Sequence, residues 1–407
     1  MRVLLCTPRE YHTPHGSAMN APITTAYLAR RLDDAGMEVM AVDIGMMRNR
    51  EAAIAPILPE ADALGISVMH STMEGARRLI TYARHIKSDI WICCGGVAPT
   101  VEPETFLAMG ADCVVTGQAD GNVATIFKQQ PSGIIEGLPG DISGRPLWEV
   151  HCPKPWEYPG SYKAPAHPEA IVMATRGCPW HCTMCGNVVW GGQRTRYRDV
   201  DDVRDEQGWL AQQGVKGIFW YDDELIEHRN LAYAANVLRG DLAHVAQGRC
   251  DIRQGDVGAL RELVAAGLKR VMWGVESADV GVLQALQKGT TPEAIEETLR
   301  TAHDAGIENH AYLMVGMPEE GPEEAERTYQ ALKGWLAEGI VRRFQATAMT
   351  PMPGTPIYAQ AQAEGWLSGG DPFQFRATGG TPWMSQAEII AHHNRLIHLG
   401  REYDAFI

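Results

Sequence analysis

Three cysteines lie within one short segment, Cys178-Pro-Trp-His-Cys182-Thr-Met-Cys185. The spacing C-x₃-C-x₂-C gathers three thiolates in a loop directly after a predicted strand, enough for three corners of an iron–sulfur cubane. Such a cluster normally takes four thiolates, so one iron would keep an open position, and an open metal position is a catalytic device. A zinc knuckle that also uses His181, or three cysteines without metal, are the alternatives. The spacing favours a [4Fe-4S] cluster.

The cysteine count of the whole chain agrees with metal chemistry. The chain has nine cysteines in 407 residues. An uneven count in a long chain favours metal binding or catalysis over disulfides. The opening apolar run, Val3–Cys6, is too short for the core of a signal peptide. No stretch approaches the ~18 apolar residues of a membrane span. We therefore expect a soluble, cytoplasmic protein that has no membrane partner.

Composition and charge exclude several classes of protein. Hydrophobic residues make up 45% and charged residues 21%, an ordinary globular balance that excludes disordered and collagen-like chains. The 36 Lys and Arg against 50 Asp and Glu give a net charge of −14. A strongly acidic chain is poorly suited to a nucleic-acid backbone, so no nucleic-acid partner is expected.

The elements that must position the cysteines alternate between strand and helix patterns. In residues 1–130 we predict helices over Pro22–Gly36 and Met73–Ile86. The predicted strands there are Arg2–Thr7, Glu38–Asp43, Ala63–Val68, Ile90–Cys94 and Cys113–Thr116. Apolar strands alternating with helices predict a parallel sheet covered on both faces, here a Rossmann-like domain of flavodoxin-like order.

The rest of the chain divides into three parts. Residues 131–168 hold eight prolines, which exclude long helices, so a linker laid over a surface is expected. Residues 169–358 carry a second α/β series that predicts a partial (β/α)₆ barrel, with its site at the carboxyl ends of the strands. Its predicted strands are Ile171–Thr175, Gly217–Tyr221, Gly248–Asp251, Arg270–Gly274, Glu308–Val315 and Phe344–Met349. Residues 359–407 form a short extension with one helix, Gln386–Tyr403.

With this cysteine loop behind a predicted strand, the chain resembles the radical S-adenosylmethionine (SAM) enzymes. The residue before the third cysteine is usually aromatic in that family, whereas Met184 stands here. The resemblance implies that SAM chelates the open iron and that its cleavage yields a 5′-deoxyadenosyl radical. Further segments match in the family's order: Gly217–Glu224, Gly274–Ser277, Leu313–Glu320 and Thr350–Pro356.

These segments supply the residues expected to bind SAM. The resemblance implies that Asp222 and Asp223 accept from its ammonium group, with strand-end capping of the next helix as the structural alternative. Glu276 and Ser277 are expected near the ribose and carboxylate, and for Glu276 a structural ion pair is the alternative. Gly316 is expected to let the backbone approach the adenine.

Residues 1–130 resemble the cobalamin-binding module that precedes many radical SAM cores. The motifs are Gly65-Ile-Ser67, Cys94-Gly-Gly96 with Thr100, and Asp112–Gly117. The resemblance implies cobalamin contacts from Ser67, His70, Gly95, Gly96, Thr100 and Gly117. The string Asp-x-His-x-x-Gly, which offers a cobalt ligand in methionine-synthase-like domains, does not occur. His70 is the first alternative ligand, followed by His12 and His15, and a domain that has lost its ligand is the structural alternative.

Together these resemblances predict a cobalamin-dependent radical SAM enzyme, in the style of a class B methyltransferase, that methylates an unactivated carbon of a small molecule. A non-methylating radical reaction, such as cyclisation, ring contraction or dehydrogenation, is the alternative, with cobalamin as a redox partner or absent. A non-catalytic cobalamin or metal carrier is the third reading. An electron donor such as a flavodoxin or a ferredoxin is expected.

Overall fold

The computed structural model describes residues 1–8, 21–47, 50–158, 165–190, 194–367 and 379–405. Two parallel sheets, each flanked by helices, follow one another along the chain. His12 and His15, which the sequence offered as cobalt ligands, lie outside the described residues.

The first sheet has the strand order β6-β5-β4-β3-β1-β2-β7, and all neighbouring strands are parallel. Its strands are β1 (Arg2–Thr7), β2 (Glu38–Asp43), β3 (Ala63–Ser67), β4 (Trp91–Gly95), β5 (Cys113–Thr116), β6 (Gly133–Glu136) and β7 (His151–Cys152). The helices are α1 (Ile23–Asp34), α2 (Met73–Ile86), α3 (Val97–Val101), α4 (Pro103–Ala108) and α5 (Val123–Gln129). The central order β2-β1-β3-β4-β5 confirms the flavodoxin-like prediction. The order reverses between β1 and β3, where such folds bind ligands.

The segment 131–168, predicted as a linker, does more than connect two domains. It supplies β6 and β7, which pair with β5 and β2 and so form both edges of the first sheet. Its described residues contain no α-helix, as their prolines predict. The two strands are only 4 and 2 residues long, which is too short for an alternating pattern to identify them.

The second sheet is an open, partial barrel of strands in sequential order, β15-β14-β13-β12-β11-β8, all parallel. Its strands are β8 (Glu169–Val172), β11 (Gly217–Trp220), β12 (Ala243–Arg249), β13 (Leu268–Glu276), β14 (Glu308–Val315) and β15 (Arg343–Ala348). A separate antiparallel pair joins β9 (Thr175–Arg176) to β10 (Arg196–Tyr197). Of the six predicted strands, β12 differs most, because its buried His244 and its Gln247 interrupt the apolar run that marks a buried strand.

Helices lie between and around the strands of this barrel. They are α6 (Asn187–Trp190), α7 (Val200–Gln212), α8 (Leu231–Val237), α9 (Val257–Ala265), α10 (Val280–Ala285), α11 (Pro292–Asp304), α12 (Pro322–Ala337), α13 (Pro356–Ala363) and α14 (Gln386–Glu402). Helix α14 buries Ile389, Leu396 and Leu399 in the same core as the barrel strands. The carboxyl-terminal extension is therefore part of the barrel core. No helix among the described residues is long and apolar enough to span a bilayer.

The barrel packs against helix α1 of the first domain and against segment 131–168 through a shared apolar cluster. Alternate residues of the barrel strands, Ile171, Phe219 and Val245 among them, point to its inner face. They meet Tyr27 of α1 together with Trp148 and Tyr158 of segment 131–168. Helix α1 and this segment therefore lie against the inner face of the barrel strands.

Candidate functional site

The cysteine loop leaves the second sheet after β8 and is closed at its base by the β9–β10 pair. Arg176 pairs with Arg196 and Thr175 with Tyr197, so the two ends of the loop are adjacent. Within the loop Cys182 is buried, Cys178 is half-buried and Cys185 is exposed. The loop therefore presents its thiols at one edge of the barrel, past the carboxyl end of its first strand, where the sequence predicted a site.

Hydrogen bonds fix the loop to three other parts of the barrel. The Gly177 N–H donates to Asp223 Oδ2 at 2.8 Å, and Gly177 takes a φ of +90°, which favours glycine. The Thr183 N–H donates to the carbonyl of Leu286 at 2.9 Å, behind α10. The Thr183 carbonyl in turn accepts from the Ile357 N–H of α13 at 3.2 Å. The loop is thus held at its start and near its middle before any ligand is added.

The surroundings of the thiols fit an iron–sulfur cluster. Burial raises the pKa of the Cys178 thiol to about 12, and the backbone N–H of Trp180 opposes that rise. Although Cys185 as a whole residue is exposed, desolvation by its neighbours raises the pKa of its thiol, and the backbone N–H of Asn187 opposes that rise. Backbone N–H groups aimed at sulfur stabilise thiolates and tune cluster potentials. Because thiols must lose protons to bind metal, loading this loop would release protons.

The zinc alternative finds less support in the geometry. Among the described residues, no three His, Cys, Asp or Glu side chains converge on a position for one metal ion. His181, the candidate fourth zinc ligand, has an exposed side chain. A cubane binds each thiolate through a different iron and so needs no convergence on one point. The loop suits a cluster better than a single zinc ion.

The adjacent carboxylates Asp222 and Asp223, both expected to meet SAM, have different surroundings. Asp222 is buried and accepts from the backbone N–H groups of Ala174 and Thr175, at 3.0 and 2.5 Å, and from the Thr175 hydroxyl at 2.7 Å. Burial raises its pKa to about 7. Asp223 is exposed beside the cysteine loop and accepts from Gly177. The structure therefore brings Asp223 to the site and places Asp222 inside the fold, where it binds the backbone after β8 rather than capping the next helix.

Glu276 and Ser277, expected near the SAM ribose and carboxylate, end β13 and are both buried. Glu276 Oε1 forms an ion pair with Lys288 Nζ at 3.0 Å, in which each side chain is about one-tenth exposed. The Ser277 hydroxyl lies 3.0 Å from the Thr328 hydroxyl and accepts from the Asp279 N–H at 3.1 Å. Glu276 thus makes the structural ion pair that was its alternative, while Ser277 is engaged inside the fold.

Lys288, which sequence reasoning missed, brings a buried positive charge towards the cysteine loop. Although burial opposes it, the carboxylate of Glu276 and the nearby Cys182 sulfur hold the Lys288 pKa well above its usual value. A fixed cation at this position offsets the negative charge of thiolates. Lys288 stands 12 residues beyond Glu276, in the loop between α10 and α11, so no local pattern marks it.

A second group that sequence reasoning missed packs against the loop. The Arg249 guanidinium stacks 3.6 Å from the ring centroid of Trp180, the residue in the middle of the first cysteine interval. The indole N–H of Trp180 donates to Glu227 Oε2 at 3.1 Å, and Glu227 is buried. Its place inside the cysteine motif was the one sequence signal that pointed to Trp180.

Gly316, expected to approach the adenine, follows β14 with a φ of +86°. A Cβ built there would lie 2.9 Å from Ile389 of α14, so glycine is required by the close approach of that helix. Its N–H donates to Glu320 Oε2 at 2.5 Å. Burial raises the pKa of Glu320 to about 7.

In the first domain the predicted cobalamin residues collect at the carboxyl ends of β3, β4 and β5. Thr100 joins two of these loops, because its hydroxyl donates to the Gly96 carbonyl at 2.7 Å and accepts from the Gly117 N–H at 2.9 Å. Gly96 has a φ of +109°, and a Cβ there would lie 2.7 Å from the Val68 carbonyl oxygen. A Cβ at Gly95 would meet nothing closer than 3.8 Å. Gly96 is therefore required by the neighbouring loop, while Gly95 leaves space.

Ser67 is half-buried at the end of β3, where the following loop begins. This loop exposes a side chain other than His70, the one that the sequence favoured. His70 is only 7% exposed, and burial lowers its pKa. Met69 beside it is 55% exposed, although it is large and apolar. An exposed thioether at the point where the strand order reverses suits an apolar planar ligand such as a corrin.

The two candidate sites meet across the interface between the domains. Helix α6, directly after Cys185, contacts α3, directly after Gly96. A Cβ at Gly354 would lie 2.9 Å from Val101 of α3 and 3.4 Å from Val189 of α6. The cysteine loop and the glycine turn of the first domain thus lie on the same interface.

Comparison with known proteins agrees with this arrangement. Residues 172–332 match the model of the radical SAM superfamily, and residues 20–127 match that of the B12-binding domain. An uncharacterised methyltransferase of Pyrococcus horikoshii is 28% identical over 331 residues, covering 75% of this chain and 70% of its own length. The anaerobic magnesium-protoporphyrin IX monomethyl ester cyclase of Rubrivivax gelatinosus is 27% identical over 379 residues, covering 82% and 66%. This chain thus spans about two thirds of the length of these relatives.

Two solved structures share the fold over most of the chain. The radical SAM methyltransferase TsrM of Kitasatospora setae, with cobalamin and a [4Fe-4S] cluster bound, has a TM-score of 0.69 and 19% identity, covering 89% of this chain and 75% of its own. The cobalamin-dependent radical SAM enzyme OxsB, with aquacobalamin bound, has a TM-score of 0.74 and 16% identity, covering 99% and 67%. The radical SAM domain implies a [4Fe-4S] cluster and SAM, and the B12-binding domain implies cobalamin.

Proposed function

Because this chain carries a B12-binding domain followed by a radical SAM domain, we propose that it methylates an unactivated carbon of a small-molecule substrate. One observation carries the proposal. Helix α6, which follows the cysteine loop, contacts α3, which follows Gly96, so both cofactor sites border one interface. A substrate held there would lie between the source of a radical and the source of a methyl group.

The cysteine loop and the adjacent Asp223 supply the residues that would hold the cluster and SAM. Cys178, Cys182 and Cys185 would bind three irons, and Asp223 would accept from the SAM ammonium group, as a carboxylate suits a cationic amine. When bound, the reduced cluster with SAM supplies a 5′-deoxyadenosyl radical that takes a hydrogen atom from carbon, and methylcobalamin supplies the methyl group. The protein orients the reactants and keeps water away.

The first domain supplies the cobalamin residues. Ser67, Gly95 and Gly117 border the open end of the sheet, and the exposed Met69 would lie against the corrin. Thr100 and Gly96 would shape the loops around the ligand through their own contacts. Because His70 is buried, we propose that it supports this loop rather than ligating cobalt.

A second candidate is a radical ring closure on the same scaffold. It is favoured by the relative in Rubrivivax gelatinosus, whose name describes a cyclase. The two candidates differ in how SAM is consumed, since methylation also converts SAM to S-adenosylhomocysteine.

The deciding experiment starts from protein purified without oxygen, with the cluster reconstituted and hydroxocobalamin added. Methylation predicts that the corrin absorbance survives desalting and that SAM with a reductant gives both S-adenosylhomocysteine and 5′-deoxyadenosine. Formation of 5′-deoxyadenosine and methionine alone would support the cyclase. Loss of all corrin on desalting would refute the first proposal.

We further propose an intracellular electron donor of the flavodoxin or ferredoxin type.

A further inference from the structure

One carboxylate joins the two domains beside the cysteine loop. Asp120 lies just beyond β5, and its side chain is 5% exposed. Nη1 of Arg176, on β9, lies 2.6 and 2.7 Å from its two oxygens. An ion pair this short and shielded is screened little by salt, unlike one at the surface.

A second arginine completes the contact from the adjacent strand. Nη2 of Arg196, on β10, lies 3.9 Å from Asp120 Oδ2 and donates to the Gln118 side chain. Nη1 of Arg196 donates to the Gly140 carbonyl. Since Arg176 and Arg196 are register partners in the β9–β10 pair, both ends of the cysteine loop reach the same loop of the first domain.

The position of these ion pairs along the chain indicates what they do. Asp120 is three residues past Gly117, at the candidate cobalamin site, and Arg176 is two residues before Cys178. We propose that Asp120 is a positioning residue that couples the two cofactor sites, so that cobalamin on the first domain tightens SAM binding at the cysteine loop. This inference rests on the proposed function.

Charge and burial explain why the coupling depends on Asp120. Its negative charge lies between two guanidinium groups that are themselves only 15% and 25% exposed. Without it, the two arginines lose their negative partner on the first domain, and their mutual repulsion across the β9–β10 pair loosens the base of the loop. A ligand that fixes the loop after β5 can act on the cysteine loop only while this link is intact.

The test measures the dissociation constant of SAM for the cluster-loaded protein, with and without saturating hydroxocobalamin. For the wild type we expect hydroxocobalamin to tighten SAM binding by at least about fivefold, and SAM to tighten hydroxocobalamin binding by the same factor. In Asp120→Asn and in Arg176→Gln the factor should fall to about one. Retained binding of hydroxocobalamin by each variant shows that the first domain remains folded.

The matched control is Glu308→Gln. Glu308 Oε1 also joins two arginines, Arg270 at 2.7 Å and Arg343 at 2.9 Å, but at the opposite end of the barrel strands. This variant should keep the wild-type factor. The inference is overturned if Asp120→Asn keeps that factor, if Glu308→Gln loses it equally, or if the wild type binds both ligands without coupling. Failure of the wild type to bind hydroxocobalamin would instead refute the proposed function.

Discussion

Mutation of the adjacent residues Asp222 and Asp223 should show that Asp222 stabilises the fold and that Asp223 binds SAM. Replacing Asp222 with alanine leaves three buried donors, the N–H groups of Ala174 and Thr175 and the Thr175 hydroxyl, without their acceptor. Each buried donor left unpaired costs about 1–3 kcal/mol. Because the hydroxyl can rotate to another acceptor, we expect a total loss of about 4 kcal/mol.

Replacing Asp223 with alanine should have the opposite profile. It removes one acceptor at the exposed edge of the site, that of the Gly177 N–H, so the fold should lose only about 1 kcal/mol. The proposed contact with the SAM ammonium group is a hydrogen bond between charged groups, which is worth about 1.5–3 kcal/mol. We therefore expect SAM affinity to fall roughly 10- to 100-fold.

The assay measures both quantities on each variant. Urea unfolding at pH 8, where Asp222 is mostly ionised, gives the change in free energy of unfolding. Equilibrium dialysis gives the dissociation constant of SAM per loaded cluster. If Asp222→Ala lost SAM affinity without losing stability, or Asp223→Ala bound SAM as tightly as the wild type, the division of roles would be wrong.

Three further predictions concern other residues. Cys182→Ala should lose the visible absorbance of the cluster and all SAM cleavage, and intact cleavage in that variant would refute the cluster assignment. His70→Ala should bind hydroxocobalamin with an unchanged absorbance and an unchanged cob(II)alamin electron paramagnetic resonance spectrum, since His70 is buried; an altered spectrum would indicate a cobalt ligand. His244 accepts from the Trp220 indole N–H at 3.2 Å and lies 2.8 Å from the Arg239 carbonyl, and burial lowers its pKa from 6.5 to about 4. Between these values the unfolded chain binds more protons, so stability should rise with pH by about 3 kcal/mol from pH 4 to pH 7. The His244→Phe variant should lack this increase, and an unchanged slope in chemical unfolding would contradict the assignment.

Much of the fold could be predicted because it depends on local periodicity. Helix α2 has the predicted bounds, Met73–Ile86, because its buried residues recur at helical spacing. Strand β14 also has the predicted bounds, Glu308–Val315. The edge strands β6 and β7 were missed, since a short strand is defined by its partner rather than by its own sequence.

The candidate site was predictable only in part. Motif and order along the chain placed the cysteine loop and the carboxyl ends of the strands in the expected positions. Which of two neighbouring side chains reaches the site depends on how each one leaves the backbone. The resemblance to radical SAM enzymes assigned the same role to Asp222 and Asp223. The resemblance to cobalamin-binding modules pointed to His70 in the loop after β3, where the structure exposes Met69 instead.

The sequence by itself determined where the cysteine loop lies and how strands and helices alternate around it, because cysteine spacing and apolar periodicity are local features that need no distant partner. The tertiary structure alone decided which charges surround that loop. Lys288 lies at the cysteine loop because Glu276 holds it, and Asp120 meets Arg176 across 56 residues of chain. Such pairs form because a buried charge requires an opposite charge, and the fold, not the spacing of residues, determines which one is near.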